Sequence, residues 1–166
     1  MDARKHLGTV LLPGSYDPIT TGHINSLRFL SERSEQVYAV IMTHVSDEGK
    51  RWIPSTVMKN LVEVALKAEG LDNVAVYIEA EDWIAHTIDV LKADSVARSF
   101  HPNIVIEKEI NFINSVIELD IPVEILPSKL NLRASNIKWF YDEGMLEDFK
   151  DQLPANVYEY IIEMKK

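Results

Sequence analysis

The chain has 166 residues, 46% of them hydrophobic and 26% charged, with a formal net charge of −9. That size and composition suit one soluble domain with a full core, and the acidic balance argues against nucleic acid or an anionic membrane surface as partner. With no cysteine, disulfides and thiolate metal sites are excluded, which suits a reducing cytoplasm. No apolar run approaches the roughly 20 residues of a membrane span, and residues 1–6 have no signal-peptide core behind them.

In chain order, Val10-Leu11-Leu12 reads as a buried first strand over residues 9–13. The loop Pro13-Gly14-Ser15-Tyr16-Asp17-Pro18-Ile19-Thr20 then leads into a helix over 22–33, whose apolar positions recur at helical spacing. A Gly-containing turn between strand and helix presents backbone N–H groups at a helix N-terminus, where phosphate can be held. Gly22-His23 adds a proton-bearing side chain at that point. Further strands are expected over 36–43, 74–80, 94–98 and 122–127. Helices are expected over 55–69, 82–92, 104–119, 134–143 and 154–165.

This alternation predicts an α/β fold: a Rossmann-like, doubly wound parallel sheet of about five strands with helices on both faces. We read residues 1–166 as a single domain. Ligands of such sheets bind beyond the carboxyl ends of the strands at a topological switch point. Gly14, Thr43, Ala80, Arg98 and Pro127 lie at such ends, so their loops should converge.

Among the candidate residues, Arg98 leaves a buried strand directly into that edge. It can hold phosphate bidentately or pair with Glu107 or Glu109. The charged loop Ser46-Asp47-Glu48-Gly49-Lys50-Arg51 offers a cation, Lys50 or Arg51, and can equally be a solvated surface loop. Ser135 suits a helix N-cap. Pro154 suits a helix first turn. Ile84 reads as a core residue. His6, His44 and His86 show no metal-ligand spacing, and Trp52, Trp83 and Trp139 read as packing residues.

Gly14-Ser15-Tyr16-Asp17-Pro18 followed by Thr20-x-Gly22-His23 resembles the nucleotidyltransferase signature, in the form found in bacterial phosphopantetheine adenylyltransferases. Many superfamily members carry His where Thr20 stands. Arg98, Glu107 and Glu109 match the family's spacing of an arginine and an acidic pair, whereas Ser99 and His101 replace its glycine and second arginine. Arg133-Ala134-Ser135 is similar to the family's serine-rich segment, and Leu153-Pro154-Ala155-Asn156-Val157-Tyr158 to its closing helix.

The resemblance implies AMP transfer from ATP, with Mg²⁺, to 4′-phosphopantetheine, giving dephospho-coenzyme A and pyrophosphate. It further implies catalytic roles for His23, Lys50 and Arg98. The expected ATP contacts are Ser15, Tyr16, His23, Ser99, His101, Glu109, Arg133 and Ser135. The expected acceptor contacts are Ser15, Lys50, Ile84 and Arg98. Arg133 is read as offsetting the charge lost at His101. A cytoplasmic homo-oligomer, a hexamer, is also implied. Two alternatives stand beside this reading: another acceptor such as nicotinamide mononucleotide, or a nucleotide-binding protein with a decayed site.

Overall fold

The computed structural model describes residues 6–81, 83–100, 106–127 and 133–164. Five strands, β1 (Thr9–Gly14), β2 (Gln36–Met42), β3 (Val74–Glu79), β4 (Ser95–Phe100) and β5 (Val123–Pro127), alternate with helices. The helices are α1 (Thr21–Ser31), α2 (Ser55–Ala68), α3 (Ile84–Leu91), α4 (Ile106–Ile117), α5 (Ala134–Asp142) and α6 (Ala155–Met164). All strand pairs are parallel, in the order β3-β2-β1-β4-β5. The chain winds outward from β1 to β3, then crosses back to place β4 on the other side of β1. The switch point therefore lies between the carboxyl ends of β1 and β4, beside Gly14.

The strands are apolar on both faces because helices cover both. Val10 and Leu12 of β1 pack with Leu27 of α1, Val62 of α2, Ile137 of α5 and Ile161 of α6. Leu11, pointing the opposite way, packs with Ile84 and Ile88 of α3 and Val116 of α4. Val10, Leu11 and Leu27 are fully buried, and each such side chain contributes about 2 kcal/mol through removal of apolar surface from water.

Element boundaries differ from expectation by a few residues. The start of the third expected helix, at Asp82, and that of the fourth, at residue 104, lie outside the described residues; within them α3 begins at Ile84 and α4 at Ile106. Two 3₁₀ segments, Val45–Lys50 and Leu146–Gln152, were not foreseen. Such short turns carry no 3.6-residue periodicity for a pattern reading to detect.

One buried charge stands out against this core. The Glu79 carboxylate, at the end of β3, is 1% exposed. Burial pushes its pKa up, but hydrogen bonds from Thr87, His86 and the Glu81 N–H outweigh that and hold it below the usual glutamate value. A depressed carboxylate stabilises the fold above its unfolded value, about 4.3, and loses that contribution as pH falls through the folded value. Glu79→Gln is therefore expected to destabilise the protein at neutral pH, with the gap to wild type narrowing below about pH 4. Urea midpoints at the two pH values check this; a gap independent of pH contradicts it.

Candidate active site

The first loop is held from three sides. Tyr16 takes a left-handed backbone, φ +46°, a conformation that costs a non-glycine residue about 1 kcal/mol. Its ring is buried and its hydroxyl donates to the Leu12 carbonyl at 2.6 Å, while burial raises its pKa well above the ordinary tyrosine range. Arg51 donates from Nη2 to the carbonyls of Ser15 (2.9 Å) and Tyr16 (3.3 Å). Asp17 accepts from the backbone N–H groups of Trp52 (2.8 Å) and Ile53 (2.9 Å). The Asp17–Pro18 peptide bond is cis.

These contacts tie the loop after β1 to the loop after β2. Replacing Asp17 by alanine leaves two backbone donors unpaired, an expected loss of about 2–3 kcal/mol. Chemical denaturation measures it, and a loss under about 0.5 kcal/mol would show the clamp to be dispensable.

At the start of α1, Thr20 and His23 close a reciprocal cap. The Thr20 hydroxyl accepts from the His23 N–H at 3.4 Å, and His23 Nδ1 accepts from the Thr20 N–H at 3.0 Å. An acceptor at Nδ1 places the proton of the neutral ring on Nε2. The imidazole also packs against Tyr16, with ring centroids 4.8 Å apart. Tertiary packing and the cap thus fix both the orientation and the tautomer of His23.

On the other side of the switch point, Arg98 meets the Glu109 carboxylate in a two-pronged pair, Nε–Oε2 at 3.0 Å and Nη2–Oε1 at 2.6 Å. Its Nη1 donates to the Pro13 carbonyl at 2.9 Å, so β4, α4 and the first loop are joined through one guanidinium. These bonds use three of its five N–H groups. The guanidinium carbon also lies 4.5 Å from the centroid of the Phe112 ring. The Ser99 hydroxyl is 3.1 Å from that of Ser26 on α1.

Two cavities meet at this point. A polar cleft of about 430 Å³ is lined by Ser15, His23, Arg98, Ser99, Glu109, Arg133 and Ser135 among others. A second cavity of about 590 Å³ runs away from it between Met42, Trp83, Ile84, Ala85, Phe112 and Leu119. Pro13, Gly14, Ser15 and Arg98 line both. The structure thus brings eight of the expected residues, Tyr16 included, to one cleft and Ile84 to the adjoining cavity.

Three expectations need qualification. Tyr16 borders the cleft, but its hydroxyl is committed to Leu12. Lys50 does not line the cleft: its side chain is 78% exposed and pairs with Asp47 at 2.5 Å, three residues back along the 3₁₀ turn. It borders a shallower recess that also includes Ser15, Arg51 and Lys138. Ser135 is not the N-cap of α5. Arg133 holds that position, and its N–H is bound by the Asn136 side chain at 2.9 Å, which leaves Ser135 one residue inside the first turn. His101 lies outside the described residues.

Sequence reasoning missed Asp17, Ser26 and Lys108 and held Arg51 only as the alternative to Lys50. Only the signature loop pointed at Asp17, and Lys108 stands between the two glutamates already singled out. The bonds of Arg51 to the first loop and of Ser26 to Ser99 gave no local signal, since those partners are 36 and 73 residues away.

Residues 11–113 match the family model described as cytidylyltransferase-like. The chain belongs to the cytidylyltransferase-like family. Among curated relatives, the phosphopantetheine adenylyltransferase of Lactobacillus johnsonii is 29% identical over 134 residues, covering 77% of this chain and 78% of that one. The enzyme of the same name from Limosilactobacillus reuteri is 27% identical over 154 residues, covering 90% and 85%. The bifunctional NMN adenylyltransferase/ADP ribose pyrophosphatase of Francisella tularensis superposes with a TM-score of 0.75 at 17% identity. It matches 95% of this chain, which spans 49% of that protein's length. At that identity the likeness is one of fold: the five-stranded parallel sheet with its surrounding helices.

No helix among the described residues is long and apolar enough to cross a membrane. Nor do three histidine or acidic side chains come together there as a metal cage.

Proposed function

We propose that this family member is an adenylyltransferase that moves AMP from ATP to 4′-phosphopantetheine, giving dephospho-coenzyme A and pyrophosphate. The observation that carries the reading is the junction of the two cavities at Ser15 and Arg98. A nucleotide in the polar cleft and an acceptor in the apolar cavity bring their phosphates together there. In this reading the second cavity, with Arg98 and Ser15 at one part of its lining and Met42, Trp83, Ile84, Phe112 and Leu119 elsewhere, takes an acceptor with an anionic head and a largely uncharged arm. The curated relatives bearing this activity's name support the same assignment.

In this reading an oxygen of the acceptor phosphate attacks the α-phosphorus of ATP. The bond from that phosphorus to the bridging oxygen breaks, and pyrophosphate leaves. The attacking group is already an anion, so the protein needs no covalent intermediate; it aligns the reactants and stabilises charge in the transition state. His23 donates from Nε2 to the α-phosphate. Ser15 and its neighbouring amides align the acceptor phosphate, and the two remaining N–H groups of Arg98 neutralise it. Ser99, Arg133 and Ser135 contact the nucleotide phosphates from the N-termini and strand ends around the cleft, and Glu109 contacts the nucleoside. Ile84 packs along the acceptor arm. Lys50 reaches the phosphates only by leaving Asp47, so Arg51, at the base of the first loop, is the cation already in place beside Ser15.

Among the described residues Glu109 is the carboxylate lining the cleft, and each of its oxygens already accepts one bond from Arg98, so it is not an open metal ligand. The donor set therefore fits a divalent ion, Mg²⁺, that arrives on the nucleotide with its own water shell. Bound so, the ion supplies neutralisation of the triphosphate charge. Assembly as a cytoplasmic homo-oligomer, the hexamer implied by the family resemblance, belongs to the same proposal.

Pyrophosphate release from ATP and Mg²⁺ tests the reading, with 4′-phosphopantetheine and nicotinamide mononucleotide compared as acceptors. Release with the first alone is expected. Release with the second alone reassigns the acceptor, and silence with both overturns the catalytic reading.

A further inference from the structure

Glu79 lies outside the reaction centre, yet its carboxylate is fully engaged. Oε1 accepts from the Glu81 N–H at 3.0 Å, while Oε2 accepts from the Thr87 hydroxyl at 2.7 Å and from His86 Nδ1 at 2.8 Å. Those donors lie on either side of Trp83, Ile84 and Ala85, the three consecutive residues that form one wall of the acceptor cavity. Ile84 is buried in the core with Leu11 and Val40, which leaves Trp83 as the exposed part of the wall. Trp83, at the N-cap of α3, makes no side-chain capping bond, and its indole is 61% exposed. The indole instead stacks on the His86 ring, 6.3 Å between centroids and 15° from parallel. His86 must donate from Nδ1 because its partner is a carboxylate, so Glu79 sets the orientation of the ring that supports Trp83.

We propose that Glu79 is a positioning residue for acceptor binding: it holds both ends of the Glu81–Thr87 segment and thereby sets the Trp83–Ala85 wall. A buried carboxylate desolvated at the end of a strand is costly unless all its bonds are made. Here every bond of the carboxylate goes to the segment that carries one wall of the acceptor cavity, and none goes to the nucleotide cleft. Neither Glu79, His86 nor Thr87 lines the polar cleft. The inference rests on the assignment of the second cavity to the acceptor.

The test is steady-state kinetics of the full chain with ATP and 4′-phosphopantetheine. Glu79→Gln keeps the volume and removes the charge, so the wall loosens. Its KM for the acceptor is expected to rise about tenfold, the effect of one charge-assisted hydrogen bond, with KM for ATP and kcat within about twofold. Because Glu79→Gln also weakens the fold, Thr87→Val and Thr87→Ser are measured beside it. Valine removes one donor and is expected to raise the acceptor KM; serine keeps the hydroxyl and is expected to restore it. Nitrogen-15 spectra of the imidazoles add a direct reading: the Nδ1-protonated tautomer of His86 is expected to dominate in wild type and to lose population in Glu79→Gln.

An acceptor KM unchanged in both Glu79→Gln and Thr87→Val, or KM values for ATP and acceptor rising in parallel, overturns the proposal while leaving the adenylyltransferase reading intact. A wild-type protein inactive with this acceptor fails that reading first, and the two failures are thereby distinguished.

Discussion

His23→Asn is expected to fold with nearly wild-type stability and to turn over about 10²–10³-fold more slowly. The asparagine carbonyl can stand where Nδ1 stands and go on accepting from the Thr20 N–H, so the cap at the start of α1 survives. What is lost is the donor at Nε2, the atom assigned to the α-phosphate. The interaction strengthens as negative charge builds in the transition state, so kcat should fall while ATP affinity changes little. His23→Ala removes both functions and should add about 1 kcal/mol of lost capping. Initial rates, with ATP affinity by calorimetry, separate the two variants. Turnover of His23→Asn within a few-fold of wild type would remove His23 from the chemistry and leave it only the cap.

Arg98→Met should be the most damaging single change. The Arg98 and Glu109 side chains are 21% and 12% exposed, so breaking the pair strands a poorly solvated carboxylate. About 2–3 kcal/mol of stability is expected to go with it, and kcat/KM should fall by at least about 10² through loss of phosphate neutralisation. Stability and chemistry separate in the double variant Arg98→Met with Glu109→Gln. Removing both charges should recover most of the stability, because no isolated ion remains, yet activity should stay low. Recovery of activity with stability would show that the guanidinium only braces β4 against α4 and the first loop.

The local pattern carried far. Val10-Leu11-Leu12 could be read as a strand buried on both faces because an interior parallel strand has no solvent side, and its neighbours repeated that signature. The order of helices followed from apolar spacing. The loop from Gly14 to His23 was legible as a strand-to-helix turn because its signal is contiguous: one strand end, one helix start and the residues between. The Arg98 pair was half legible: the sequence offered Glu107, Glu109 or a phosphate as its partner, and the structure brings Glu109 to it.

The connections across the sheet were not legible. Arg51 outranked Lys50 at the first loop because the 3₁₀ turn swings Lys50 over Asp47, and a turn of that kind leaves no periodic trace. Ser135 looked like a cap, but the helix starts one residue after Arg133 because Asn136 closes the end from inside. Glu79 looked like the end of an ordinary strand. Its burial, and its bonds to His86 and Thr87, exist only once α3 has packed back against β3.

The sequence by itself therefore determined the α/β winding, the strand and helix segments and the chemistry of the first loop, all set by residues close together along the chain. Only the tertiary structure decided which cation braces that loop, that the two cavities meet at Ser15 and Arg98, and that the buried Glu79 bonds to residues on either side of Trp83–Ala85. Those depend on distances between residues far apart in sequence, which the sheet order sets and no local pattern encodes.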